Sequence, residues 1–146
     1  MFFSGARGRD VAITPDGAGT YSDLTASAGN AWQCVDDIPQ NSDTDYISSS
    51  TVGHKSTFTL SALPALPTGA SVARVWMEAA AKETAAAGGN LATYIRSGAT
   101  DVQGSDQALT IAYARYIEGE HLTNPDTGLA WTQADVNALE AGVRVR

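Results

Sequence analysis

The sequence predicts an all-β fold, an antiparallel jelly-roll β-sandwich with one short helix near the C-terminus and an extended N-terminal arm. Short segments rich in β-branched and aromatic residues recur along the chain, and Gly, Pro, Asn and Asp separate them. A helix-start signal, a weaker version of the capping box, occurs near the C-terminus at Thr132. We therefore predict two parts, an extended arm over residues 1–30 and a β-sandwich domain over residues 31–146.

The arm is rich in glycine, and its few apolar residues are scattered. Residues 14–17 (Thr-Pro-Asp-Gly) predict a turn, because Pro presets φ, Asp bonds back to the backbone and Gly accepts a positive φ. We expect an extended segment that lacks strand partners of its own. Two outcomes are open, a frayed terminus or an arm that orders against a neighbouring subunit.

The first clear strand lies at residues 54–60, where β-branched and aromatic residues place Phe58 and Leu60 on one face. A polar, acidic connection over residues 35–50 precedes it. Tyr46 and Ile47 are the expected anchors of this connection in the core.

Residues 71–83 are ambiguous in local propensity. Ala, Met, Glu and Lys favour a helix, but the segment lacks a convincing helix cap and its residues alternate with period two. Alternation places Val75 and Met77 on one face and Trp76 on the other. We predict a strand over residues 71–83; a helix over residues 71–87, in a mixed α+β domain, is the alternative.

A short helix is predicted over residues 131–142. Thr132 is the N-cap with Asp135 at N3, Trp131 and Val136 have the spacing of a hydrophobic staple, and Gly142 is the expected stop. The other predicted elements are a hairpin turn at residues 88–90, a strand at 91–96, a loop at 97–106, a strand at 109–117, a turn at 124–128 and a final strand at 143–146.

Composition excludes several classes of function. The 146 residues carry a net charge of −7, which argues against nucleic-acid partners, since those require clustered Lys and Arg. No apolar run approaches the ~18 residues of a membrane-spanning helix, so we expect no membrane partner. The single cysteine, Cys34, excludes an internal disulfide.

The sequence offers no catalytic, cofactor-binding or metal-binding residues that we would assign. Nucleophile-elbow, Walker and zinc-protease motifs are absent from it. His54 and His121 are interpreted as surface histidines, and nothing in the sequence brings either to a nucleophile. Cys34 is interpreted as a small buried hydrophobe. Accordingly, we predict a non-enzymatic protein without a cofactor.

Two binding hypotheses remain open. The aspartates of residues 36–45 could bind Ca²⁺ through oxygen ligands, although the segment does not follow the EF-hand register and a solvated acidic loop is the plainer interpretation. Aromatic side chains could instead form a sugar-stacking platform. Trp131 is expected in the core, whereas Trp76 and Tyr94 are the pair that would face outwards.

One long C-terminal block and several shorter motifs carry a family resemblance. The block runs from Asn-Pro-Asp-Thr-Gly-Leu-Ala-Trp-Thr at residues 124–132 into residues 136–145, and the weaker motifs lie at residues 35–37, 43–47, 53–58, 63–64, 69–72 and 95–98. With these features the chain from residue 35 onward resembles small virion structural proteins of tailed bacteriophages. The resemblance implies a jelly-roll sandwich that decorates a head or belongs to a tail or fibre assembly, and it implies no catalytic residues.

The expected function is therefore that of a non-enzymatic phage virion protein, foremost a capsid decoration or cement protein. We expect it in the virion, as a homo-oligomer in contact with the major capsid protein or tail proteins. Its negative charge suits the outside of a particle, since a face that touches packaged DNA would be basic. The alternative is a carbohydrate-binding module of a tail or fibre assembly.

Overall fold

The chain folds mostly into antiparallel β-strands, with one short α-helix near the C-terminus, as predicted. The computed structural model describes residues 2–5, 9–40, 43–117 and 119–146. The strands are β1 (Phe2–Gly5), β2 (Asp10–Ala12), β3 (Pro15–Ser22), β4 (Thr25–Ala26), β5 (Ile47–Ser48), β6 (Lys55–Leu60), β7 (Val72–Trp76), β8 (Glu78–Ala81), β9 (Asn90–Ser97), β10 (Thr100–Gln103), β11 (Gln107–Ala108), β12 (Ala114–Ile117) and β13 (Glu140–Val145). Helix α1 spans Gln133–Asn137, and a 3-10 turn spans Ala31–Cys34.

The main sheet has the strand order β10-β9-β13-β6-β3, and β11 adds to β9. Its central strand, β13, pairs antiparallel with both β6 and β9. Smaller sheets are β2-β1-β7, the ribbon β12-β8 and the pair β4-β5.

One face of the main sheet, the inner face, packs against a second layer that includes β7 and α1, so the fold is sandwich-like. Among the residues whose burial the structure describes, the core holds eleven: Ile13, Leu60, Leu63, Val72, Val75, Met77, Ile95, Trp131, Val136, Leu139 and Ala141. The jelly-roll path itself stays a prediction. Among the described residues, the helices are too short to span a bilayer.

The predicted strand over residues 71–83 is confirmed as β7 and β8, and the helical alternative is wrong. Val75 and Met77 are buried, as the alternation indicated. Pairing of β7 with β1 and of β8 with β12 outweighs the helical propensity of the alanines.

The helix start is confirmed, and the helix stop is wrong. The Thr132 side chain accepts a hydrogen bond from the Asp135 backbone N–H at 3.1 Å, and the Asp135 carboxylate accepts one from the Thr132 N–H at 2.9 Å. Trp131 is buried, as expected. The helix ends near Ala138, and Gly142 lies instead in the central strand β13.

Two predictions about the connections between strands are also wrong. Residues 88–90 do not close a hairpin, because β8 pairs with β12 and β9 pairs with β13. The predicted loop at 97–106 contains β10, which forms a tight hairpin with β9 around Gly98. Local turn signals mark where the chain bends, but they do not identify the strand that pairs after the bend.

The predicted strand at 109–117 is a strand only at Ala114–Ile117, and Ile111 is exposed. The final strand begins earlier than predicted, at Glu140 rather than residue 143. In both cases the boundary follows the available partner strand: β12 pairs with β8, and β13 fills the space between β6 and β9.

The arm has an extended conformation, but its strand partners lie within the same chain, which corrects the expectation that it lacks them. β3 pairs with β6, and Ile13 and Leu24 are buried. The turn predicted at residues 14–17 is also wrong, since β3 begins at Pro15 with a shift in register before Gly17. The boundary between residues 1–30 and 31–146 stays a prediction.

Gly142→Ala should destabilise the protein by about 1–3 kcal/mol, because a Cβ there would lie 1.8 Å from the backbone oxygen of Ser56. Urea unfolding measures the change. Gly119→Ala is the matched control, since a Cβ at Gly119 meets nothing within 4 Å of it among the described atoms. Equal stability of the two variants would contradict the close packing of β13 against β6.

Candidate functional site

The outer face of the main sheet carries a bulge of β3 that lies over β6. Ala18 pairs with Phe58 and Ser22 with Ser56, so residues 19–21 stand opposite Thr57 alone. A Cβ on Gly19 would lie 2.6 Å from the backbone of Thr57. The bulge can therefore approach the sheet this closely only with glycine at that position.

The carboxylate of Glu140 holds this bulge in place. It accepts hydrogen bonds from the Thr20 backbone N–H at 2.7 Å, the Thr20 hydroxyl at 2.8 Å and the Thr57 hydroxyl at 2.6 Å. Burial raises the pKa of Glu140, but these hydrogen bonds and the charge of Arg96 outweigh burial and hold the pKa below its usual value.

Asp101 lies beside the bulge on the neighbouring strand β10. It accepts hydrogen bonds from the Tyr21 hydroxyl and from the Arg96 guanidinium, both at 2.6 Å. Burial raises the pKa of Asp101, yet the hydrogen bonds from Tyr21, Tyr94 and Arg96 outweigh it and lower the pKa to about 2. Asp101 therefore stays ionised throughout the neutral pH range.

Lys55 contacts two tyrosines on the same face, Tyr21 and Tyr94. Its ammonium lies 3.4 Å from the centroid of the Tyr21 ring and donates to the Tyr94 hydroxyl at 3.1 Å. The rings of Tyr21 and Tyr94 meet edge to face at 5.9 Å. Burial, together with the hydrogen bond and charge of Asp101, raises the pKa of Tyr94, so its phenol stays protonated.

These side chains form the outer-face cluster: Tyr21, Lys55, Tyr94, Arg96, Asp101 and Glu140. The shifts resolved for its members lower the pKa of the carboxylates and raise the pKa of the phenol and the guanidinium. General acid–base catalysis near neutral pH favours shifts in the opposite direction. The arrangement cross-links β3, β6, β9, β10 and β13 and holds its charges in fixed pairs.

A large groove lies on the other side of the sheet, at the end of the inner face that the core does not fill. Its volume is about 1230 Å³. Leu60, Leu91, Val143 and Val145 line it from the sheet. One wall is the acidic connection, defined here as residues 35–40 and 43–52, and the other is the alanine wall, residues 78–89.

Large apolar side chains protrude around this groove. Val52 is 72% exposed, Ile38 62% and Tyr46 43%, and all three lie on the acidic connection. The expectation that Tyr46 anchors the connection in the core is therefore wrong. Asp43 joins the acidic connection to the alanine wall, because its carboxylate accepts a hydrogen bond from Lys82 at 2.7 Å. It also accepts a hydrogen bond from the Tyr113 hydroxyl at 3.0 Å.

Among the described residues, the structure does not bring together the ligands that the calcium hypothesis requires. Within the described part of the chain, no three His, Cys, Asp or Glu side chains come together as metal ligands would. Hydrogen bonds from Lys82, then Tyr113, hold the pKa of Asp43 below its usual value. Asp43 therefore serves as an ion-pair partner of the opposite wall.

One histidine does meet a hydroxyl, which the sequence did not indicate. The Nδ1 atom of His54 lies 2.9 Å from the Ser49 hydroxyl. That hydroxyl also accepts the Thr51 backbone N–H at 3.1 Å, as in a Ser/Thr turn. Within the described residues no carboxylate is recorded against this ring, so the pair lacks the third group that orients a catalytic base.

Cys34 is buried, as predicted, and its thiol donates to the Ala28 carbonyl at 2.9 Å. His121 is half-buried, and its backbone bridges to Val75 in both directions. Both residues therefore make contacts within the fold.

The prediction that Trp76 and Tyr94 both face outwards to solvent is wrong for Tyr94. Tyr94 is only 4% exposed, because the bulge of β3 covers it, whereas Trp76 is half-buried with Arg74 5.2 Å from its ring. A separate pocket of about 280 Å³ lies beside Tyr21 and Trp32. The Ser56 hydroxyl in that pocket already accepts the Leu24 N–H at 3.0 Å.

Comparison of the chain with family models, curated proteins and solved structures gave no match.

Sequence reasoning did not assign the members of the outer-face cluster. Lys55, Tyr94 and Arg96 do lie at outward positions of predicted strands, but polar side chains are ordinary at such positions. The position of Glu140 carries no signal, because the helix predicted over residues 131–142 includes it. Only the pairing of β13 with β6 and β9 brings Glu140 to Thr57.

Asp101→Asn should destabilise the protein by about 1–2 kcal/mol at pH 7, because charged hydrogen bonds are lost. The pKa of Asp101 is about 2 when folded, below its ordinary 3.8. The stabilisation is therefore present above about pH 4, and it disappears as the pH falls towards 2. Urea unfolding at a series of pH values should show the two proteins converging in acid.

Asp106→Asn is the control, since Asp106 has a single ion pair with Arg146 among the described contacts. Its effect at pH 7 should stay below about 0.5 kcal/mol. A difference between wild type and Asp101→Asn that persisted unchanged down to pH 2 would refute the role given to the Asp101 carboxylate.

Proposed function

We propose that this protein is a non-enzymatic structural subunit of a phage particle, a capsid decoration protein that acts through contacts with copies of itself and with other virion proteins. The observation that carries the proposal is the apolar groove, with Ile38, Tyr46 and Val52 exposed around it. An exposed apolar patch rimmed by polar residues is typical of a protein–protein interface.

The outer-face cluster supports a passive role. Its charges are used in cross-links between strands, and the shifts resolved there move pKa values away from neutrality. A protein that works by presenting a stable surface gains from such a cluster, whereas acid–base catalysis near neutral pH does not.

The net charge and the sequence motifs of the chain support a location on the outside of a phage particle. A net charge of −7 favours the outer surface of a particle over a surface that touches DNA. The resemblance of residues 124–132 and 136–145 to phage virion proteins supports the same assignment. The carbohydrate-binding alternative loses its predicted stacking pair, because Tyr94 is covered.

The proposal predicts that the protein copurifies with intact particles of the phage that encodes it, in a copy number comparable with that of the major capsid protein. Quantitative mass spectrometry of gradient-purified particles measures the ratio. The matched control is a preparation of particles from which the gene has been deleted, to which purified protein is then added back. A few copies per particle would favour a tail or fibre component, and absence from the particles would overturn the proposal.

A further inference from the structure

The pocket of about 280 Å³ beside Tyr21 and Trp32, called here the aromatic pocket, is separate from the groove, and no described residue lines both. Its lining comes from β3, from β6 and from the start of the 3-10 turn. Tyr21, Trp32 and Phe58 supply the aromatic part of that lining. Ligand pockets are typically concave and lined by aromatic and apolar side chains with a few polar groups, and this pocket has that composition.

Hydrogen bonds within the chain hold the walls of the aromatic pocket in place. The Thr57 hydroxyl accepts the Tyr21 backbone N–H at 3.2 Å, which fixes the β3 wall against β6. On the turn, the Asn30 side-chain amide donates to the Gln33 side-chain oxygen at 3.0 Å. A ligand that enters a preformed pocket loses less of its affinity to the ordering of side chains.

Two polar groups of the lining have hydrogen-bonding capacity that the chain does not use. Trp32 is half-buried, and among the described contacts its indole N–H has no acceptor, although it is not shut off from solvent. Ser22 is exposed, and no described residue bonds its hydroxyl. An indole N–H usually finds an acceptor when it becomes buried. The two groups can therefore bond a ligand that carries hydroxyls.

The chemistry of the lining favours an uncharged ligand with an apolar face. None of the described lining residues is Asp, Glu, Lys, Arg or His, and the net charge of −7 disfavours an anion. One face of a sugar ring consists of C–H groups, which pack on aromatic side chains, while the hydroxyls at its edge reach polar groups. The volume of about 280 Å³ lies below the roughly 300–1,000 Å³ of pockets that hold drug-sized ligands. The pocket therefore suits one sugar ring rather than a chain of rings.

We propose that the aromatic pocket binds one ring of a neutral sugar, which packs its C–H face on the aromatic lining and accepts a hydrogen bond from the Trp32 indole N–H. The Ser22 hydroxyl supplies a second hydrogen bond. This inference goes beyond the proposed function, because it gives a structural subunit a glycan-binding surface of its own. Its aromatic residues differ from the predicted stacking pair, Trp76 and Tyr94, of which Tyr94 is covered.

Proton–nitrogen correlation NMR of the full chain tests the inference, because each tryptophan indole N–H gives a signal of its own. Glucose, galactose, N-acetylglucosamine and N-acetylgalactosamine are added separately at millimolar concentrations. At least one of these sugars should move the Trp32 signal saturably. The Trp131 signal should stay in place, since that N–H is bonded to the His121 carbonyl at 2.9 Å.

Trp32→Ala should raise the dissociation constant of that sugar at least about tenfold, as followed by the backbone signals of residues 21–22. Trp76→Ala is the matched control, because it removes a half-buried tryptophan outside the pocket lining, and it should bind like the wild type. Ser22→Ala, at an exposed position, should raise the dissociation constant about twofold to tenfold through the loss of one hydrogen bond. Circular dichroism confirms that each variant is folded, and Ser22→Ala carries the test where Trp32→Ala does not fold.

A Trp32 signal that none of the four sugars moves overturns the inference, as does wild-type affinity in both pocket variants or an equal loss of affinity in Trp76→Ala. Saturation by a proline-rich peptide alone, the other ligand that aromatic grooves recognise, overturns it too. Failure of the proposed function is distinguishable from these results. A chain that binds a sugar but is absent from particles overturns only the virion function, and a particle-bound chain without a sugar response overturns only this inference.

Discussion

The Glu140 carboxylate, lying beneath the bulge of β3, is the interaction on which the arrangement of the main sheet depends. It extends from the central strand and binds three donors of Thr20 and Thr57. Because one of these donors is a backbone N–H of the N-terminal segment, the carboxylate joins the start of the chain to its end. Gly19 and Gly142 permit the close backbone approach that this contact requires.

The two faces of the main sheet differ in what their side chains contact. On the outer face, aromatic and charged side chains pair with one another and hold five strands together. On the inner face, the core occupies only part of the sheet, and the remainder lines the groove. The charged side chains of the outer-face cluster are thus engaged in contacts between strands, while apolar side chains stay exposed around the groove.

The sequence allowed the elements that depend on local pattern to be predicted. Alternation was sufficient for β6 and for residues 71–83, and the Thr132–Asp135 pair was sufficient for the helix start. Non-local pairing was not predictable, because Gly88-Gly89-Asn90 has the composition of a hairpin turn but joins two different sheets. Gly142 has the composition of a helix stop, yet the space between β6 and β9 places it in a strand. The burial of Tyr94 depends on the bulge of β3, which no local pattern indicated.

Hydrogen–deuterium exchange of the wild-type chain at low and at high protein concentration tests most directly whether the inner face serves contact while the outer face serves stability. Added protection at high concentration is expected in residues 43–52 and 78–83, on the two walls of the groove. Residues 94–101, on the outer-face cluster, should exchange equally at both concentrations. Added protection confined to residues 94–101, or none anywhere, would contradict the account.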